Sequence, residues 1–192
     1  MDVVLSEQRG SCTVLTLNRP QLLNTISNPM LDLLETALDA ERGSDSRALV
    51  LTGAGRAFCA GSDLSEAHAD PQLRIQRVHT LIVRLREFPK PVIAAINGLA
   101  LGGGLELALA CTFRVARRGA KLGLPEIKLG LLPAYGGTQL LPRLVGENRA
   151  LEMMLGGEPV DGATAGTIGL VNRVCEDSDE VVAVATEFAA MI

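Results

Sequence analysis

The chain has 192 residues, the size of one domain with a full core. Hydrophobic residues at 47% and charged residues at 21% exclude a largely disordered chain, and 22 acidic against 18 basic residues give a net charge of -4 that opposes general nucleic-acid binding. With no Trp, one Tyr and four Phe there is too little aromatic surface for base stacking or an aromatic cage, so recognition falls to backbone groups and aliphatic side chains.

In chain order, residues 12–18 alternate like a half-buried strand and stop at Arg19-Pro20. A helix is expected over 29–42: Ser27 or Asn28 can cap it, Pro29 suits its first position, and Met30, Leu33, Leu34, Ala37 and Leu38 recur on one face before Gly43. The apolar run 48–52 reads as a buried strand. After a loop through Gly61, residues 73–88 place Ile75, Val78, Ile82 and Leu85 at helical spacing, and Pro89 and Pro91 stop them. Residues 92–96 are another buried strand. Beyond Gly102, Gly103 and Gly104, a helix is expected over 105–112 and a short strand over 113–116. Glycines and prolines make 123–137 irregular. Short helices over 138–145, 148–155 and 163–168 precede a strand over 170–174, and Val181, Val184, Ala185 and Phe188 give a last helical stripe. Strands alternate with helices without repeat or linker, which predicts a single α/β layered domain over 1–192.

Cys12, Cys59, Cys111 and Cys175 form no CxxC pair, so buried reduced thiols fit better than a zinc site or a disulfide framework. His68 and His79 are the only histidines and read as a solvated helix face, which leaves little material for a histidine metal site or a Ser-His-Asp triad. Asp2 and Glu7 stand where a signal peptide needs basic residues, and a cytoplasmic protein is expected. Residues 91–113 have the length of a membrane span, about 20 residues. Asn97, the three glycines and Glu106 interrupt them, so a strand, a tight turn and a buried helix are expected there instead of a membrane segment. Gly53-Ala54-Gly55 follows a strand as a dinucleotide-binding turn would, but Phe58 holds the third glycine position.

Glu106 carries the only charge between Pro91 and Phe113. A buried carboxylate must reach a polar cavity, meet a distant cation or titrate abnormally, so Glu106 is either a core glutamate paired with an arginine or a functional acid or base. The glycines before it free N–H groups at a helix start, which suits an anion or simply a tight turn. Glu126, directly after Pro125, reads by itself as an exposed helix opening, and Arg117 and Arg118 as an exposed turn.

LNRPQLLN, AFCAGSDLSE, PKPVIAAINGLALGGGLELALACTFRVA, LGLPEIKLGLLPAYGGTQLLPRLVG and IGLVNRV occur in this order, and together the chain resembles the crotonase, or enoyl-CoA hydratase/isomerase, family from about Cys12 to Cys175. The resemblance implies a spiral of strand-strand-helix repeats, a homotrimer or hexamer, and an acyl-CoA thioester as ligand, with no metal or redox cofactor. By position, Ser62 and Gly103 match the two backbone N–H donors of the family's oxyanion hole, and Glu106 and Glu126 match the two glutamates of its hydratases. Hydration of a trans-2-enoyl-CoA to a 3-hydroxyacyl-CoA is the implied reaction, with double-bond isomerisation or noncatalytic acyl-CoA binding as alternatives. Ala134 stands where hydratases often have Gly and can still offer its N–H to the water. Only the backbone of Ser62 is used in this scheme, so Ser62→Ala is expected to be mild. Thr112 and Leu140 replace a frequent Asp and Arg, and Tyr135 is larger than the usual small residue and is expected to narrow the acyl pocket. Family members usually continue with helices that cover the site and build the trimer. The chain is expected to lack these C-terminal trimerisation helices, so that the 181–188 stripe needs an external partner surface.

Overall fold

The computed structural model describes residues 2–66 and 71–192. β1 (Val4–Arg9) and β2 (Cys12–Leu17) form a hairpin followed by α1 (Asn28–Arg42). The next two turns of chain are β3 (Ala48–Gly53), β4 (Ala57–Cys59) and α2 (Pro71–Arg86), then β5 (Val92–Ile96), β6 (Leu99–Leu101) and α3 (Gly103–Ala110). β7 (Phe113–Arg117) and β8 (Lys121–Gly123) lead through a 3-10 turn, Pro125–Leu129, into α4 (Gly137–Val145) and α5 (Glu147–Gly156). The chain closes with β9 (Val160–Asp161), α6 (Gly162–Thr167), β10 (Arg173–Cys175) and α7 (Val181–Ala190).

The strands form a six-stranded sheet, β1-β2-β3-β5-β7-β10, and a four-stranded sheet, β4-β6-β8-β9; in the pairs β3/β4, β5/β6 and β7/β8 the first strand joins the larger sheet and the second the smaller. Apart from the β1–β2 and β8–β9 pairs, the strands are parallel. This is the expected strand-strand-helix spiral. β3 and β5 are buried at every residue, because parallel strands in the middle of a layered fold are covered on both faces. Leu49, Leu51, Ala94 and Ile96 face the main core with α1, α2 and α3. Val50, Ile93, Ala95 and Val115 face the other way, onto α7.

That second face corrects one expectation. Val181, Val182, Ala185, Phe188 and Ala189 are buried against the outer face of the six-stranded sheet, with Val184 packed beside them, so the stripe finds its partner inside the subunit. Phe188 meets Phe113 edge-on with ring centroids 5.3 Å apart, and the Arg173 guanidinium lies 5.2 Å from its ring centre.

Local signals place most boundaries. Met30 N–H donates to Ser27 Oγ (3.4 Å) and Pro29 enters the first turn of α1, as its sequence predicts. The expected strand over 170–174 shrinks to β10 because the N–H groups of Leu170 and Val171 both donate to Ala165 O, closing α6 instead of joining the sheet. β1 carries no strand signal in its sequence because it is an edge strand paired only with β2, exposed along nearly its whole length and without apolar alternation. Gly53-Ala54-Gly55 turns from β3 into β4 and not into a helix, so it is no nucleotide-binding turn. All four cysteines are buried and free. Among the described residues no helix is long and apolar enough to cross a membrane, and residues 91–113 divide among β5, β6 and α3.

Candidate active site

The turn from β6 into α3 sets the geometry. Gly102 has φ +53, a conformation that L side chains rarely adopt, and it caps a helix that starts two residues earlier than the apolar run suggests. Glu106 N–H donates to Gly102 O (3.0 Å), so the N–H groups ahead of it belong to the first turn and have no helical acceptor. A Cβ on Gly104 would collide with the Cys59 carbonyl, which is how the helix start presses against the end of β4. There the chain passes Gly61 and Ser62; a Cβ on Gly61 would lie 3.8 Å from Gly103 N. Ile26 N–H donates to Gly61 O (2.8 Å) and Asp63 N–H to Ile26 O (2.9 Å), a bridge that leaves Ser62 N–H without a backbone acceptor among the described residues. Two unused N–H groups, of Ser62 and Gly103, thus stand on abutting segments.

Both line a cavity of about 360 Å³ together with Glu106, Glu126, Ala134 and Tyr135. The five site residues that the resemblance implies, Ser62, Gly103, Glu106, Glu126 and Ala134, all line this cavity. Glu106 is 1% exposed. Its Oε1 accepts from the N–H groups of Tyr135 (2.8 Å) and Gly137 (2.7 Å), and no arginine pairs with it among the described residues, which sets aside the reading as a core ion pair. Burial pushes its carboxyl up to about 7; the two N–H donors oppose that rise and the charge of Glu126 adds to it.

Glu126 sits in the 3-10 turn Pro125–Leu129, half-buried and not the exposed helix opening its local sequence suggests. Its Oε1 lies beside Gly102, where a Cβ would approach it to 3.2 Å, and its buried Oε2 has no hydrogen-bond partner. Burial raises its pKa above the ordinary carboxylate range. Leu64, Leu129, Leu131 and Leu132 make the cavity wall largely apolar. No group of three His, Cys, Asp or Glu side chains is arranged as metal ligands among the described residues.

Residues that the sequence left aside hold this arrangement. Arg74 is buried and donates to Ile26 O (2.7 Å), Asn28 Oδ1 (2.9 Å) and Glu66 Oε2 (3.2 Å), pinning the segment that bridges Ser62. Its signal was a charge four residues before Val78 on the apolar stripe of α2. Asp63, next to Ser62, accepts from Ser65 Oγ (2.6 Å) and Arg19 (2.8 Å), which hold its carboxyl below the usual range despite burial. His79 Nε2 lies 2.6 Å from Ala134 O, so it contacts the rim of the cavity and is not merely a solvated side chain. His68 lies outside the described residues. Arg118 is an exposed turn residue paired with Glu176, as expected.

The fold and the site define an α/β enzyme class whose cavity pairs two carboxyl groups with free backbone donors. The profile of the enoyl-CoA hydratase/isomerase family matches residues 7–192. A probable enoyl-CoA hydratase of Bacillus subtilis is 45% identical over 183 residues, covering 92% of this chain and 70% of its own. A 1,2-epoxyphenylacetyl-CoA isomerase of Escherichia coli is 40% identical over 186 residues, covering 92% and 71%. The crystal structure of an enoyl-CoA hydratase from Bacillus anthracis superimposes with a TM-score of 0.94 at 38% identity, over 98% of this chain and 76% of that one. The chain belongs to the enoyl-CoA hydratase/isomerase family.

Proposed function

We propose that the protein hydrates trans-2-enoyl-CoA thioesters to 3-hydroxyacyl-CoA. The observation that carries this reading is the convergence of two glutamates with raised pKa on one apolar cavity beside two unused N–H groups. In the proposed reaction the thioester oxygen accepts from the N–H groups of Ser62 and Gly103. Water adds through its oxygen to C3 while Glu106 takes a water proton, the C2–C3 π pair moves toward the thioester oxygen, and Glu126 delivers a proton to C2. The balance is one water added, with one proton received by Glu106 and one given by Glu126, restored by exchange between the two carboxyls. Glu106 suits the base because two N–H donors fix its Oε1, and in this scheme its other oxygen takes the water proton. Glu126, with an unpartnered oxygen, suits the acid. The division describes a coupled pair and not two independent groups. In this scheme Ala134, which lines the same cavity, offers its N–H to that water.

This scheme calls for no metal or redox cofactor. A second reading, double-bond isomerisation by one carboxyl shuttling a proton between C2 and C4, is favoured by the family description itself, which joins enoyl-CoA hydratases with isomerases. Turnover of crotonyl-CoA against a 3-enoyl-CoA separates the two: hydration is expected to dominate, and exclusive use of the 3-enoyl thioester overturns the first reading. The resemblance also carries assembly as a homotrimer or hexamer. Sedimentation equilibrium tests that point, now that the α7 stripe gives no reason of its own for association.

A further inference from the structure

Two hydroxyls stand at the end of the cavity where the donors are. Ser62 Oγ and Tyr135 Oη are 2.7 Å apart, and both residues line the cavity. Two hydroxyls that share one hydrogen bond carry two hydrogens and use one. Among the described residues neither has another hydrogen-bond partner, so one O–H is left to point elsewhere. Tyr135 is held in place at three points. Its N–H donates to Glu106 Oε1 (2.8 Å), its ring packs on Gly103, where two ring carbons would lie 2.9 Å from a Cβ, and its hydroxyl meets Ser62. The ring therefore links the residues of both backbone donors to the carboxyl of Glu106.

A phenol is a stronger hydrogen-bond donor than an aliphatic alcohol, so the favoured arrangement has Tyr135 donating to Ser62 Oγ and the Ser62 hydrogen free. That hydrogen starts from the same residue as one of the two backbone donors. We propose that the Ser62 hydroxyl, polarised by Tyr135, is a third donor to the thioester oxygen. This assignment rests on the hydration reading above and deepens it. As water adds at C3, negative charge gathers on the thioester oxygen; as the proton reaches C2, that charge returns to carbon. Both hydroxyl hydrogens stay on their oxygens throughout, and only the strength of their hydrogen bonds changes. A third donor has a clear use in this cavity, because the charge develops close to two carboxyl groups in apolar surroundings, where hydrogen bonds between aligned donors strengthen one another. The expectation that Ser62→Ala is mild, drawn from the backbone alone, is thereby reversed.

The test measures crotonyl-CoA hydration by Ser62→Ala, Ser62→Thr, Tyr135→Phe and the double variant Ser62→Ala/Tyr135→Phe. It is paired with the absorption band of bound 4-dimethylaminocinnamoyl-CoA, which moves to longer wavelength as its carbonyl oxygen is drawn toward donors. Ser62→Ala is expected to lower kcat by about 10- to 100-fold, the range for a hydrogen bond to a charged group, with KM changed by no more than about threefold. Ser62→Thr restores most of the rate. Tyr135→Phe loses less than Ser62→Ala, and the double variant is no slower than Ser62→Ala, because the tyrosine acts through the serine. The red shift shrinks in the same order. Wild-type kcat and an unchanged band in Ser62→Ala overturn the assignment, as do multiplicative effects of the two changes. If the wild type shifts the chromophore but hydrates no enoyl-CoA, the hydration reading fails while the band series still decides the donor. If it neither binds nor hydrates, both fail together.

Discussion

The outer face of the six-stranded sheet and the mouth of the cavity are opposites in composition. On the outer face Val50, Ile93, Ala95 and Val115 meet Val181, Ala185 and Phe188, and the charged group beside these side chains, the Arg173 guanidinium, lies over the Phe188 ring. At the cavity, two carboxyls are withdrawn from water, two N–H groups lack acceptors, and a glycine holds a backbone angle that other residues avoid. The first region lowers the free energy of the fold by burial alone. The second raises it, since desolvated acids and unpaired donors cost stability that a substrate and a transition state can recover. Rate and stability should therefore separate along this boundary.

The largest expected effect is at the cavity. Glu106→Gln and Glu126→Gln each keep the shape of the side chain and remove its acid-base function, so each should cost about 100- to 10,000-fold in crotonyl-CoA hydration. Circular dichroism should be unchanged. A folded variant with near wild-type turnover removes that glutamate from the reaction. On the outer face the reverse is expected: Phe188→Ala, which deletes a buried ring in contact with Phe113, should cost about 3 kcal/mol in denaturant unfolding and leave kcat within about twofold. Loss of rate without loss of stability there would show that the two regions are coupled.

Glu106 sharpens the comparison through pH. Its carboxyl titrates near 4.5 when unfolded and at about 7 when folded, so the folded state binds the extra proton between those values. Stability is then greatest below pH 4.5 as far as this group is concerned and falls as pH rises through 7, by about 3 kcal/mol in all. Glu106→Gln should lose that slope, and unfolding free energies of the two proteins should converge at low pH and favour the variant at pH 8. Parallel curves across pH 4.5 to 8 would mean that the folded carboxyl titrates normally. Activity has the opposite sign, since the proposed base must be ionised, and the rate should fall as pH drops through 7.

The same division explains what the sequence discloses. β3, β5, α1 and α2 follow from periodicity and caps because burial energy is written locally, in the spacing of apolar residues. Glu106 stood out because an isolated charge in an apolar run is a local anomaly. Glu126 did not: after Pro125 it looks like any helix opening, and only the resemblance pointed to it, since the cavity that buries it is made by residues distant in the chain. The partner of Glu106 was equally hidden, because backbone N–H groups of Tyr135 and Gly137 carry no residue-type signal. The stripe of α7 was visible, but its destination was not, since only the strand order shows an uncovered sheet face waiting within the same subunit. β4, β6, β8 and β9, at two or three residues each, are too short for any period to register.

The smallest effect tests how far the cavity's side of the boundary extends. His79 lies on the exposed face of α2, and its Nε2 meets the carbonyl of Ala134, the residue before the Tyr135 N–H that holds Glu106. Removing the ring leaves that carbonyl free to bond with water, so His79→Ala should cost less than about 1 kcal/mol in stability. Its influence on rate is indirect: a looser rim lets the donors that fix Glu106 drift, for an expected loss in kcat of about twofold to fivefold with little change in KM. His79→Gln, whose amide can donate to the same carbonyl, should recover part of the loss. Set beside Phe188→Ala, this variant carries the inverse signature, a changed rate at nearly constant stability. A His79→Ala protein with wild-type kcat would confine the functional region to residues that line the cavity.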